Sequence, residues 1–173
     1  FSSTLGAYLQ NGAKEASVSY TNGPLAARFT NLKEDNSPNN AGSSAKNTTL
    51  NTLGANYAFG DAKVFLWNQT NKAEDGSRNI TATTVSATYT LGATVLMAQT
   101  GSAKNKLATG TGAGGTSKLT SIGADYNLSK TTALYGRYES LKDAGNVAAA
   151  AATLDGTATG TRTRLGLGIR TAF

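Results

Sequence analysis

The 173 residues include no cysteine and no histidine. Without cysteine there are no disulfides and no thiolate chemistry, and most structural zinc and iron sites are excluded. Without histidine the commonest general acid and base is missing. A hydrolase would rest on carboxylates alone, and only 10 Asp and Glu are present, several in loop-like stretches such as Lys33-Glu34-Asp35 and Glu74-Asp75. The expectation is a non-enzymatic protein with no catalytic residue, no metal ligands and no cofactor. No run approaches the ~18 consecutive apolar residues of a membrane-spanning helix. The apolar stretch from Val147 to Ala152 is short and lies between Gly145-Asn146 and Asp155-Gly156, as a loop or a short helix within one would. Pro24 and Pro38 are the only prolines.

What is present is period-two alternation. The hydrophobic share of 39% is scattered rather than bunched, and helical periodicity nowhere persists. The alternation predicts about ten strands: 3–9, 15–21, 25–32, 49–59, 62–69, 80–89, 93–99, 119–126, 132–140 and 161–173. Their connections alternate in kind. Thr21–Pro24, Gly60–Asp61, Thr90–Gly92 and Asn127–Thr131 are tight turns. Lys33–Asn47, Thr70–Asn79, Thr100–Lys118 and Leu141–Gly160 are long and polar or small. Only "QNGAK" near the start is a short member of the second set. An antiparallel up-and-down meander puts alternate connections at opposite ends, and short turns at one end with long loops at the other mark transmembrane β-barrels. Three stretches, Leu53–Trp67, Val85–Met97 and Ile122–Gly136, repeat one hairpin pattern.

The apolar parity of the descending strands collects Ala16, Val18, Tyr20; Leu53, Ala55, Tyr57, Phe59; Val85, Ala87, Tyr89; Ile122, Ala124, Tyr126; and Leu165, Leu167, Ile169, Phe173. Each row ends in an aromatic just before the short turns. Tyr20, Tyr57, Phe59, Tyr89, Tyr126 and Phe173 are therefore expected to form a girdle where hydrocarbon meets headgroups. Large mid-strand residues, which a soluble sandwich core needs, are scarce, so the pattern favours the barrel. On the opposite parity stand Asn56, Thr88, Asp125, Arg162, Arg164 and Arg170, with Arg28, Lys63, Arg137 and Glu139 on ascending strands. In "KVFLW" the Val64/Leu66 and Phe65/Trp67 choices are nearly equal.

The formal charge of +6 is spread singly along the chain, which speaks against nucleic acid and suits a surface that attracts small anions. Gly110, Gly112 and Gly115 match a dinucleotide fingerprint, but a strand rather than a helix is predicted to follow, so they read as loop. Asp125 and Glu139 share a face with Arg137 between them, a charge-paired wall rather than an acid/base pair. Arg162, Arg164 and Arg170, separated by Gly166 and Gly168, read either as a solvated face or as the basic wall of an aqueous channel.

The segments Ser17–Phe29, Leu53–Val64, Ala124–Asp143 and Gly166–Phe173 resemble the C-terminal part of betaproteobacterial general porins. The turn "NLSKTTALYG" and the terminal Phe173 carry the resemblance furthest. It implies a single domain over 1–173, the last ~10 strands of a sixteen-stranded transmembrane barrel, with the inward-folded constriction loop in the part before Phe1. It also implies an outer-membrane homotrimer in a Gram-negative bacterium, embedded in membrane lipid. The expected function is passive diffusion of small hydrophilic solutes and ions. Arg28, Lys63, Arg137, Arg162, Arg164 and Arg170 would line the pore and favour anions. Leu165, Leu167, Ile169 and Phe173 match the signal read by the barrel-assembly machinery, with Thr171 more polar than that pattern. The alternative is a non-conducting structural or adhesive barrel whose long loops bind partners.

Overall fold

The structure, a computed structural model, describes residues 2–10, 12–34, 47–107, 114–143 and 160–172. Ten strands follow one another: β1 (Ser2–Gln10), β2 (Ala13–Asn22), β3 (Leu25–Glu34), β4 (Thr48–Phe59), β5 (Ala62–Ala73), β6 (Asn79–Leu91), β7 (Thr94–Asn105), β8 (Thr116–Asn127), β9 (Thr132–Asp143) and β10 (Gly160–Thr171). They form one sheet in chain order, and every neighbouring pair is antiparallel. This is the up-and-down meander that the spacing of turns predicts. Among the described residues the sheet stays open, with β1 and β10 at its edges.

Three short connections have two residues and begin on glycine: Gly23-Pro24, Gly60-Asp61 and Gly92-Ala93. The three glycines have φ of 53°, 57° and 58°, a left-handed angle that only glycine adopts without steric cost and that matches the twist of the flanking strands. In the fourth, Ser129 Oγ accepts hydrogen bonds from the backbone N–H groups of Thr131 and Thr132 at 3.2 and 3.0 Å.

The strands at the other end run longer than the alternation marks them. β5 extends to Ala73 and β7 to Asn105, while β8 begins at Thr116. The expected loop over 70–79 contracts to 74–78, and that over 100–118 to 106–115. The physical reason is that alternation reports a face that leaves water. Past the hydrocarbon edge both faces are wet, so hydrogen bonding continues while the hydrophobic signal stops.

Residues opposite each other in a ladder point to the same side, so register assigns the two faces across the whole sheet. One side carries Val18, Leu25, Phe29, Leu53, Tyr57, Val64, Leu66, Val85, Tyr89, Leu96, Ile122, Tyr126, Leu134, Tyr138, Leu165, Leu167 and Ile169. The near-equal choice in β5 resolves, with Val64 and Leu66 on this apolar face and Phe65 and Trp67 on the polar one. The apolar face is not a core. Ala133 is the only buried hydrophobic residue among those described, whereas Leu165 and Leu167 are 74% and 75% exposed. A continuous apolar surface of this kind is made for contact with lipid or with another protein rather than with water.

The aromatic residues do not share one ladder row. Tyr20 lies in the row of Ala27 and Ala55, Tyr57 one row nearer the short turns, Phe59 and Tyr89 one further, and Tyr126 one further again. Barrel strands tilt, so a level line crosses successive rows in such steps. Phe173 lies outside the described residues.

Candidate functional site

The polar face collects every arginine that lies within a strand. Register puts Arg28 (β3), Arg137 (β9) and Arg162, Arg164 and Arg170 (β10) on it, together with Lys63 (β5). Carboxylates on the same face hold four of the arginines. Asp125 on β8, buried at 4% exposure, receives Arg137 Nη2 on one oxygen at 2.6 Å and Arg170 Nη2 on the other at 3.3 Å. Arg164 lies 3.7 Å from Glu139 and Arg28 3.6 Å from Glu15. Arg28 also donates to Ser17 Oγ at 3.2 Å.

Gly168, between Arg164 and Arg170, and Gly123 on β8 have a steric role. A Cβ on Gly168 would stand 2.5 Å from the Tyr135 hydroxyl, and one on Gly123 would stand 2.5 Å from Arg137 Cδ. These bare positions let the Tyr135 ring lie across β10 and the Arg137 stem across β8. From there Arg137 donates to the carbonyls of Ala124 and Gly136 at 2.9 and 2.8 Å, besides Asp125. Its guanidinium also sits 5.7 Å from the Tyr135 ring centre, within cation–π range. Gly123→Ala is therefore expected to push Arg137 out of its bed at a cost of about 1–3 kcal/mol. Urea unfolding of the full-length protein in lipid vesicles checks this, and an unchanged midpoint would refute the steric account.

Asp125 and Glu139, the carboxylates expected to be charge-paired, are each engaged by arginine. The role of Arg170 at Asp125 escapes sequence reasoning, because 45 residues separate the two and only the β8–β9–β10 register joins them. Also missed is an aromatic patch on this face. Trp67 stands opposite Gly54, which stands opposite Arg28, and Phe65 carries Lys63 Nζ 5.1 Å from its ring centre. Ser19, Arg28, Gly54, Asn56, Phe65 and Trp67 line a shallow groove of about 460 Å³. The signal that could have found it is the glycine opposite the single tryptophan. Gly110 and Gly112 lie outside the described residues, and Gly115 leads into strand β8.

The sheet thus has one face that gathers the cationic side chains and one that gathers the large apolar ones. Comparison with known proteins bears on this directly. The outer-membrane protein OmpT of Vibrio cholerae has the same fold, with a TM-score of 0.63 at 19% identity over 92% of this chain and 55% of that one. A porin refined at 1.8 Å resolution matches with a TM-score of 0.67 at 16% identity over 93% of this chain and 51% of that one. A trimer form of the Vibrio cholerae OmpT, folded in vitro, matches with a TM-score of 0.56 at 21% identity, over 76% of this chain and 45% of that one. The chain thus spans about half the length of these structures. No curated protein matches it significantly. The sequence profile of Gram-negative porins matches residues 2–146, which takes in β1 to β9. On that match, and with the fold in agreement, this chain belongs to the Gram-negative porin family and is a protein of the outer membrane.

Proposed function

We propose that this chain forms part of the wall of a water-filled channel through which small hydrophilic solutes diffuse passively, anions more readily than cations. The carrying observation is the sorting of charge on the polar face, which among the described side chains sets Arg28, Lys63, Arg137, Arg162, Arg164 and Arg170 against Glu15, Glu34, Asp125 and Glu139. Because most of the arginines are already paired, the excess of positive charge is small, and the expected selectivity is modest rather than absolute. Nothing in the proposal requires a chemical step or a cofactor. The chain spans about half the length of the matching structures, which fits a wall that is one part of a larger barrel.

In this reading Tyr20, Tyr57, Phe59, Tyr89 and Tyr126, with Phe173, lie at the boundary of lipid and headgroup. Leu165, Leu167 and Ile169, with Phe173, serve the barrel-assembly machinery, and the protein works as a homotrimer.

Planar-bilayer recording of the full-length protein under a salt gradient tests the function. The expected reversal potential favours the anion, and Arg164→Glu, reversing the charge of a side chain that is 56% exposed, shifts it towards the cation. A cation preference in the unaltered protein overturns the anion reading. Absence of conductance in a folded, inserted protein would favour the adhesive or structural barrel instead.

A further inference from the structure

Trp67 is the single tryptophan of the 173 residues, and it stands on the polar face, 38% exposed. An exposed indole among hydroxyls and charges offers a stacking surface that no neighbouring ring takes up. Its surroundings are two adjacent ladder rows. Ser19, Arg28, Gly54, Trp67 and Thr84 make the first, and Thr21, Ala26, Asn56, Phe65 and Ser86 the second. The floor of the groove is bare at Gly54. At Gly123 and Gly168 a neighbouring side chain takes the space of the missing Cβ, whereas a Cβ on Gly54 would meet no atom within 4 Å. Trp67 on β5 therefore faces Arg28 on β3 across bare backbone, two strand spacings or ~10 Å away.

The charge around the two rings is of one sign. Lys63 holds its ammonium group 5.1 Å from the centre of the Phe65 ring. The Arg28 side chain is 60% exposed, and among the described residues its contacts with Glu15 and Ser17 both run through Nη2. Its Nε and Nη1 are left to donate to a further acceptor. Among the described residues no carboxylate lines the groove.

These features select among solutes. A sugar stacked on an indole is best held by carboxylates, which accept from several hydroxyls at once. A small inorganic anion uses the cations and leaves the indole idle. A planar ring that bears a carboxylate uses both, with the ring on Trp67 over Gly54 and the carboxylate in the fork of Arg28. We propose that the polar face between β3 and β5 binds small aromatic carboxylates. The groove is shallow, so binding is weak and reversible, as a wall that passes its solutes requires. The site deepens the channel reading and rests on it for its role, although binding itself needs no conductance.

The test titrates the full-length protein, folded in detergent, with benzoate. Acetate is the acid without a ring and benzyl alcohol the ring without an acid. The fluorescence difference between the unaltered protein and Trp67→Phe isolates the signal of position 67. Benzoate is expected to change that signal with a midpoint on the order of millimolar, where neither control does. Gly54→Val fills the floor with a residue that suits a strand, and Arg28→Gln removes the guanidinium. Each should weaken binding about tenfold, and neither removes the fluorophore. Heat-modifiable gel mobility confirms that each variant is folded. An equal response to acetate or benzyl alcohol, or full binding by Gly54→Val, overturns the proposal. So does an indole that iodide fails to quench in solute-free protein, because another segment of the whole protein would then cover the groove. Planar-bilayer conductance, measured in parallel, separates the two readings. A benzoate response without conductance leaves the site standing and sinks the channel, while conductance without any benzoate response sinks the site alone.

Discussion

Arginine at position 122 is expected to destabilise the folded protein by about 2–4 kcal/mol, whereas arginine at position 121 leaves stability within about 1 kcal/mol. Ile122 sits midway between Lys118 and Tyr126 on β8, on the apolar face, and is 58% exposed. In lipid that position lies near the bilayer midplane, where a guanidinium loses its hydration and finds no partner. Ser121 is its neighbour in sequence but points to the polar face, opposite Gln99 on β7 and Glu139 on β9. There an added arginine meets water and a carboxylate. Urea unfolding in lipid vesicles measures both, with Thr161→Arg, on the apolar face opposite Lys142, as a depth control expected to cost roughly 0–1 kcal/mol. Equal effects at 121 and 122 would mean that the two faces do not see different media, and the assignment of lipid to the apolar face would fail.

The second large effect is expected at Asp125. Its carboxylate is 6% exposed and accepts from two arginines on two further elements of the sheet, Arg137 on β9 and Arg170 on β10. Asp125→Asn keeps the shape but removes the charge, leaving two guanidinium groups without their counterion. Breaking a fully buried pair costs ~3–5 kcal/mol. Here Arg137 and Arg170 are 37% and 65% exposed, so water screens much of the loss and about 1–3 kcal/mol is expected. The same change removes one negative charge from the polar face, so the reversal potential should move further towards the anion. Combining Asp125→Asn with Arg137→Met should recover part of the lost stability, because the double variant removes a stranded charge as well as its partner. Additive losses in that cycle would show that the pair is not coupled.

Much of this was readable along the chain, for a definite reason. Side chains alternate with period two, and where one face leaves water and the other does not, each strand position declares its medium through its polarity. Hence Leu165, Leu167 and Ile169 separate from Arg164 and Arg170 by parity alone, and the register carries the same separation from β2 to β10. Glycine at the short turns was legible because two-residue hairpins need a positive φ, which Gly23, Gly60 and Gly92 supply. Where both faces are wet the code falls silent. The last residues of β5 and β7 were therefore read as loop, and Lys72 and Lys104, which lie there, were not recognised as strand residues of the apolar side.

The amino-acid sequence by itself determined that there are about ten strands, their order along the chain, which connections are short, and the faces of the descending strands, since these follow from local alternation and turn chemistry. Only the tertiary structure decided which residues meet. It set Arg170 beside Asp125, Gly123 beneath the stem of Arg137, Trp67 next to Gly54, and Lys118 against Lys142. Each pairing depends on the register between strands. A slip of two residues preserves every apolar and polar face yet changes every partner, so polarity patterns cannot choose among such registers. Turn geometry and steric fit choose among them.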